Sequence, residues 1–192
     1  PAPIKKMLEN KWLGDKTKQG FYKKEKSASG KSILSLDLKS LEYVPQQKIR
    51  FDSVGVAKKI SDPGERIKSM INATDRAGEF AWITTRDTLI YSATRIPEIA
   101  DDVVNVDNAM KWGFNWEIGP FATLDAIGVK AFADRVKQDG LTVPKVIEQV
   151  LSKGEGVFFK RQNHKDYYFD IKSESYKEIP VKSNVIILKS LK

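Results

Sequence analysis

The chain has no cysteine and a single histidine in 192 residues. Without cysteine there is no disulfide framework, no thiolate metal site and no cysteine nucleophile, a composition that suits a reducing cytoplasm. The one histidine, His164, lies in the polar stretch Arg161-Gln-Asn-His-Lys165 among basic neighbours. It reads as an exposed surface residue rather than a general base, and no serine motif stands near it to make a triad. No apolar run approaches the roughly 18 residues that a membrane span needs, and the opening Pro-Ala-Pro-Ile-Lys-Lys lacks the apolar stretch of a secretion signal. No Gly-x-Gly-x-x-Gly turn occurs, so the phosphate cradle of a dinucleotide-binding domain is not written in these residues. Arginine, the usual base-reading residue, is scarce beside lysine.

What is present is an ordinary globular composition, 41 % hydrophobic and 30 % charged, long enough for one or two domains with a real core. The net charge of +8 is unevenly placed. Residues 1–31 hold nine lysines against Glu9, Asp15 and Glu25, whereas residues 98–128 hold six acids against Lys111. That distribution argues for a solvated lysine-rich surface over a nucleic-acid site, with a polyphosphate ligand able to use part of it.

Periodicity sets the expected elements. Ile4, Met7 and Leu8 share a helical face in residues 1–11. Two glycines, Gly14 and Gly20, bracket a polar loop before Phe21-Tyr22. Residues 20–25 and 32–38 read as a hairpin, with Leu34, Leu36 and Leu38 alternating inward; an extended Tyr43-Val-Pro45 and a short helix near 53–60 follow. Asp62-Pro-Gly-Glu65 is a helix start, with Asp as N-cap and Pro at the first position. A helix to about 73 is expected there. A longer one over about 77–96 carries Trp82, Leu89, Ala93 and Ile96 on one stripe. Short helices are expected near 98–104 and 106–112. Val129, Phe132, Ala133 and Val136 mark another helix closed by Gly140, and Val146, Ile147, Val150 and Leu151 mark one more, opened by Thr142 and Pro144 and ended at Gly154. Val157-Phe-Phe159, Tyr167-Tyr-Phe169 and Val185-Ile-Ile-Leu188 read as strands.

The chain also echoes itself. Pro144, Ile147, Val150 and Leu151 repeat the spacing of Pro1, Ile4, Met7 and Leu8, and Phe158-Phe159-Lys-Arg161 repeats Phe21-Tyr22-Lys-Lys24. The shared ending favours duplication over chance. On that reading residues 1–25 are the tail of a first unit whose body lies upstream, and 61–165 are a second, complete unit. The opening on proline, inside a helical pattern, fits an excerpt of a longer protein.

Residues 106–128 read VDNAMKWGFNWEIGPFATLDAIG. Trp112, Phe114, Trp116 and Phe121 stand beside three glycines and a proline, the pattern of a tight helix–turn–helix corner whose aromatics are expected in the core at about 150–250 Å² each. Gly113 is expected to end one helix and Pro120 to start the next. The run Asp107-Asn-Ala-Met-Lys-Trp-Gly-Phe-Asn-Trp-Glu-Ile-Gly-Pro-Phe121, with Leu124-Asp125-Ala-Ile-Gly128, resembles the C-terminal helical domain of 3-hydroxyacyl-CoA dehydrogenases. Members of that family show Asp-x-Ala-Met, Gly-Phe, Gly-Pro-Phe and Asp-x-x-Gly here. Lys11-Trp-Leu-Gly-Asp-Lys-Thr-Lys-Gln-Gly-Phe-Tyr22 is similar to the end of a first such domain, with Lys18 where a glycine is common. Ala81-Trp82-Ile83-Thr84-Thr85-Arg86 is similar to the signature at the start of the domain, with Trp in place of Phe. The likeness covers residues 1–25 and about 77–160.

The resemblance implies a mainly α chain: a multi-helix, 6-phosphogluconate-dehydrogenase-C-terminal-like bundle with a small β-hairpin and a β-rich C-terminal tail. The implied boundaries are 1–25 (tail of a first helical domain), 26–60 (hairpin and connector), 61–165 (second helical domain) and 166–192 (β-rich connector). It implies a parent that oxidises (3S)-hydroxyacyl-CoA to 3-ketoacyl-CoA with NAD in fatty-acid β-oxidation. The family's histidine–glutamate base lies in or beside a Rossmann domain that holds NAD and is expected to be missing from this chain, and some long members continue into an enoyl-CoA hydratase domain. No catalytic, cofactor-binding or metal-binding residue is therefore expected here. Thr85 stands where catalytic copies carry a substrate-contacting asparagine and is the expected substrate-binding residue. Arg86 is expected in a structural ion pair or cap, and Glu98, Asp101, Asp102 and Asp107 at helix ends and in solvent. The expected work of the chain is to complete an acyl-CoA cleft and to pack against another domain or a second copy, without turnover of its own. The rival reading is a free-standing basic module that binds an anion or a nucleic acid.

Overall fold

The computed structural model describes residues 1–27 and 30–180. They form eight α-helices and two three-stranded antiparallel sheets, a mainly helical chain with small β parts. The chain divides into two compact units, Pro1–Arg50 and Phe51–Lys192.

In the first unit, α1 (Ala2–Glu9) leads through a glycine loop into β1 (Tyr22–Ser27), β2 (Gly30–Leu36) and β3 (Tyr43–Pro45). The expected hairpin is present, with Tyr22 opposite Ser35, and the extended Tyr43-Val-Pro45 segment adds a third strand along β2. Of the expected inward faces, Met7 and Leu36 are buried while Ile4, Leu8 and Leu38 are exposed. The loop doubles back on itself so closely that a Cβ on Gly20 would lie 2.8 Å from the Gly14 Cα, which is why glycine stands there. Trp12 packs on Tyr43 at 5.3 Å between ring centroids, and the Tyr43 hydroxyl donates to the Gly20 carbonyl.

In the second unit, α2 (Asp52–Ala57) precedes α3 (Pro63–Ile71) and α4 (Arg76–Thr94). The Asp62 carboxylate accepts from the Glu65 N–H at 2.8 Å and that of Asp75 from the Gly78 N–H at 2.9 Å, each satisfying a donor that the helix leaves unpaired. Trp82, Leu89, Ala93 and Ile96 are buried, as their spacing requires. In place of two short helices near 98–104 and 106–112 there is one, α5 (Val103–Phe114), capped by Asp102 on the Asn105 N–H at 2.8 Å. No proline interrupts that segment, so the helix runs through. Gly113 lies inside it, and the left-handed residue that ends it is Asn115 (φ 56°), a residue type whose short polar side chain tolerates that conformation. Then come α6 (Pro120–Ile127), α7 (Val129–Gln138) and α8 (Lys145–Lys153), with the expected stripes inward. The second sheet is β4 (Phe159–Gln162), β5 (Lys165–Asp170) and β6 (Ser175–Glu178), in that order. Asn163 and His164, both at positive φ, make the two-residue turn between β4 and β5, as the twist of a hairpin favours. β6 has no counterpart in the sequence reading, and the strand expected at Val185–Leu188 lies outside the described residues.

The aromatic corner corrects the sequence reading. Phe121 is fully buried, but Trp112 is 81 %, Phe114 72 % and Trp116 38 % exposed. The inward face of α5 is set by Val103, Val106 and Asp107, and Trp112 falls on the opposite side of the helix. Bulk and apolarity do not override that geometry.

Asp107 is 3 % exposed and reaches across to the start of α6, accepting from the N–H groups of Phe121 (2.8 Å) and Ala122 (2.9 Å). On α6 itself, Asp125 accepts from the N–H groups of Phe158 (2.7 Å) and Phe159 (2.8 Å) at the entry to β4. Phe121 and Phe158 then meet edge-on at 4.8 Å. Gly119 lies against the first carboxylate: a Cβ there would sit 2.2 Å from the Asp107 Cγ. Replacing Gly119 with Ala is expected to cost about 2 kcal/mol or more of unfolding free energy in a urea titration, since neither the carboxylate nor the helix start can retreat.

Burial pushes the Asp107 carboxyl up to about 6 and that of Asp125 up to about 7, against the opposing pull of the N–H donors. The Asp107 charge adds to the rise at Asp125, and Lys111 opposes the rise at Asp107. A carboxyl raised on folding makes the native state bind more protons than the unfolded one, so its contribution is full below the ordinary carboxylate range and is lost as pH climbs through 6 and 7. The melting temperature is therefore expected to fall by several degrees between about pH 5 and about pH 8, and by less in Asp125→Asn, as calorimetry at the two pH values reads.

Candidate functional site

A cavity of about 520 Å³ opens in the second unit between α3, α4, the loop after α5 and the start of α6. That is within the size range of small-molecule sites. Its α4 wall is threonine-rich, because Thr84, Thr85 and Thr88 fall on one side of the helix while Trp82, Leu89 and Ala93 hold the buried stripe. Three of the four threonine hydroxyls lining it are turned back on their own helices. Thr84 donates to the Phe80 carbonyl and Thr88 to the Thr84 carbonyl, each at 2.8 Å, and Thr123 to the Gly119 carbonyl at 2.8 Å. The Thr85 hydroxyl makes no hydrogen bond to another of the described residues. The residue singled out from the sequence therefore lines the pocket with its hydroxyl unused.

The remaining wall comes from the α3 residues Arg66 and Ile67 and from the loop Asn115–Ile118. Arg66 donates through one guanidinium nitrogen to the Glu117 carboxylate, across 51 residues of sequence. The left-handed turn at Asn115 aims the loop back over α3 and α4, placing Trp116 at the edge of the cavity. Sequence reasoning missed Arg66, Asn115 and Glu117, since no spacing pattern links α3 with a loop so far along the chain.

Arg86 does not line this cavity. It sits at the other wall of α4, paired with Asp139 at 2.7 Å and Asp87 at 2.8 Å, and the two acids raise its already high pKa. Asp139 also accepts from the Trp82 indole N–H at 2.7 Å, and these contacts hold its carboxyl below the usual range. Arg135 stacks over the Trp82 ring at 3.8 Å and donates to the Ile71 carbonyl at 2.8 Å. The group ties α4 to the end of α7, the structural role expected of Arg86. Glu98 pairs with Arg95 and Asp101 with Lys172, while Asp102 caps α5. Asp107 departs from its expected place at a solvated helix end: it is buried, and the helix it caps is a different one.

His164 is exposed in the hairpin turn, away from the cavity lining. Among the described residues no group of three or more His, Asp or Glu side chains converges on a metal-sized point. The residues present do not fit a dinucleotide: the sheets of the described residues are antiparallel meanders, and no strand feeds a Gly-x-Gly-x-x-Gly turn into a helix. No helix among the described residues is long and apolar enough to cross a membrane.

No family model and no solved structure matches the chain. Three curated proteins do. A Bacillus subtilis protein named "Probable 3-hydroxyacyl-CoA dehydrogenase" is 40 % identical over 192 residues, all of this chain and 24 % of that protein. A Rickettsia prowazekii protein named as a trifunctional enzyme of a fatty acid oxidation complex is 28 % identical over 127 residues, 65 % of this chain and 16 % of its own length. A protein of the same name from Rickettsia felis is 23 % identical over 193 residues, covering 96 % of this chain and 25 % of its own length. The chain thus spans a quarter or less of each relative it matches. Over all 192 residues it is similar to one segment, about a quarter, of a protein named as a 3-hydroxyacyl-CoA dehydrogenase.

Proposed function

We propose that this chain is the C-terminal helical region of an NAD-dependent 3-hydroxyacyl-CoA dehydrogenase of cytoplasmic fatty-acid β-oxidation, and that its cavity completes the parent's acyl-CoA cleft. The observation that carries this reading is the unused Thr85 hydroxyl in a cavity of about 520 Å³. It belongs to a chain related over its full length to a protein named for that dehydrogenase. A hydroxyl donor in a pocket floored by Ile67 and Leu89 suits a ligand that is apolar with one carbonyl or hydroxyl oxygen. Residues 61–165 are the domain of the 6-phosphogluconate-dehydrogenase C-terminal type, and residues 1–25 are the end of another copy: in each, a helix and a glycine loop lead into an antiparallel meander in the same order.

The chain holds substrate without supplying a base. No histidine lines the cavity, and its two ionisable side chains, Arg66 and Glu117, are paired with each other. The exposed Trp112 and Phe114 support a packing role, against a nucleotide-binding domain, a hydratase domain or a second copy of the chain.

With acetoacetyl-CoA and NADH, the purified chain is expected to oxidise no NADH above background. By isothermal titration it binds acetoacetyl-CoA saturably, and Thr85→Val weakens that binding roughly three- to tenfold, the range of one lost hydrogen bond. Clear turnover, or an affinity that Thr85→Val leaves unchanged, overturns the reading.

A further inference from the structure

The edge of the cavity carries an ion pair whose chemistry is only partly used. Arg66 offers five N–H donors in a rigid fork, a shape that matches the two oxygens of a carboxylate or phosphate. Among the described residues the guanidinium has one polar partner, the Glu117 carboxylate, bound through a single nitrogen. The side chains are 34 % and 62 % exposed, so water reaches both and the pair holds the loop to α3 only weakly. Glu117 stands four residues before Phe121, on a loop whose far end is fixed by the Asp107 carboxylate and whose near end turns at Asn115. The loop's backbone is thus set at both ends, while the carboxylate it lays on Arg66 can swing away into solvent. Thr85, also with its hydrogen-bonding capacity unused, lines the same cavity.

We infer that Glu117 is a built-in stand-in for a ligand oxyanion, and that an anionic ligand entering the cavity displaces it and takes both oxygens onto Arg66. This rests on the reading of the cavity as an acyl-thioester site and adds to it a second anchor, specific for negative charge. The oxyanion has two possible sources, a CoA phosphate or a carboxylate at the far end of the acyl group, and both present the same paired oxygens. Displacement is not costly, since an ion pair as exposed as this one contributes little. Glu117 therefore filters ligands: a neutral one leaves the pair intact and gains nothing from Arg66.

The test measures dissociation constants of the whole chain by isothermal titration with three probes: acetoacetyl-CoA, which carries phosphates; glutaryl-pantetheine, with a terminal carboxylate and no phosphate; and neutral acetoacetyl-pantetheine. Glu117→Gln, which removes the competing charge and keeps the shape, is expected to tighten one or both anionic probes about threefold and to leave the neutral probe unchanged. The probe that responds identifies the source. Arg66→Met is expected to weaken that probe about tenfold and to abolish the gain from Glu117→Gln in the double variant. Thermal melts of both variants show that they remain folded. If Thr85→Val weakens binding while Glu117→Gln changes none of the three probes, or all three equally, the inference falls and the acyl-thioester reading stands. If no probe binds either the wild-type chain or Glu117→Gln, both fall.

Discussion

Two carboxylates decide where α6 lies. Asp107 holds its first turn from a neighbouring helix, and Asp125, on its outer end, holds the backbone at Phe158 and Phe159. Burying the charged form of either carboxyl is unfavourable, as the rise of both pKa values shows, and each offsets part of that by accepting two backbone N–H groups. At Asp107 the positive end of the α6 dipole adds to the attraction. The loop bearing Trp116 and Glu117 ends at α6, and Thr123 on α6 lines the cavity, so the pocket inherits its shape from this brace.

The brace also accounts in physical terms for the motif behind the family resemblance. Asp107 and Asp125 are anchors for backbone N–H groups, Gly119 is small because a side chain there would overlap Asp107, and Pro120 opens a helix whose first donors are already satisfied. None of these residues needs to touch a substrate. The motif describes how a helix is set in place, and a likeness built on it speaks first to architecture.

What could be read from the sequence was local. The Asp62-Pro63 start, the stripes of α4, α7 and α8, and the first hairpin each rest on residues within a few positions of one another, where helix and strand periods act directly. What could not be read depended on partners far along the chain. The Asp107 acceptor serves donors 14 and 15 residues away, Asp125 serves donors 33 and 34 away, and Arg66 meets Glu117 across 51. Composition misled at the aromatic corner, since four large rings suggested a core and only Phe121, on α6, is buried. Thr85 was reached through resemblance rather than pattern, and its place in the cavity rests on how α4 turns its threonines relative to Trp82.

A helix of eight residues capped from another helix has a consequence for how the unit assembles. So short a segment does not persist alone in water, because nucleation is unfavourable and few bonds follow it. With its cap on α5 and its own carboxylate reaching to β4, α6 becomes helical only as those neighbours dock. Its amides then exchange with solvent through the same concerted opening as theirs, and α5, α6 and the entry to the second sheet behave as one cooperative block.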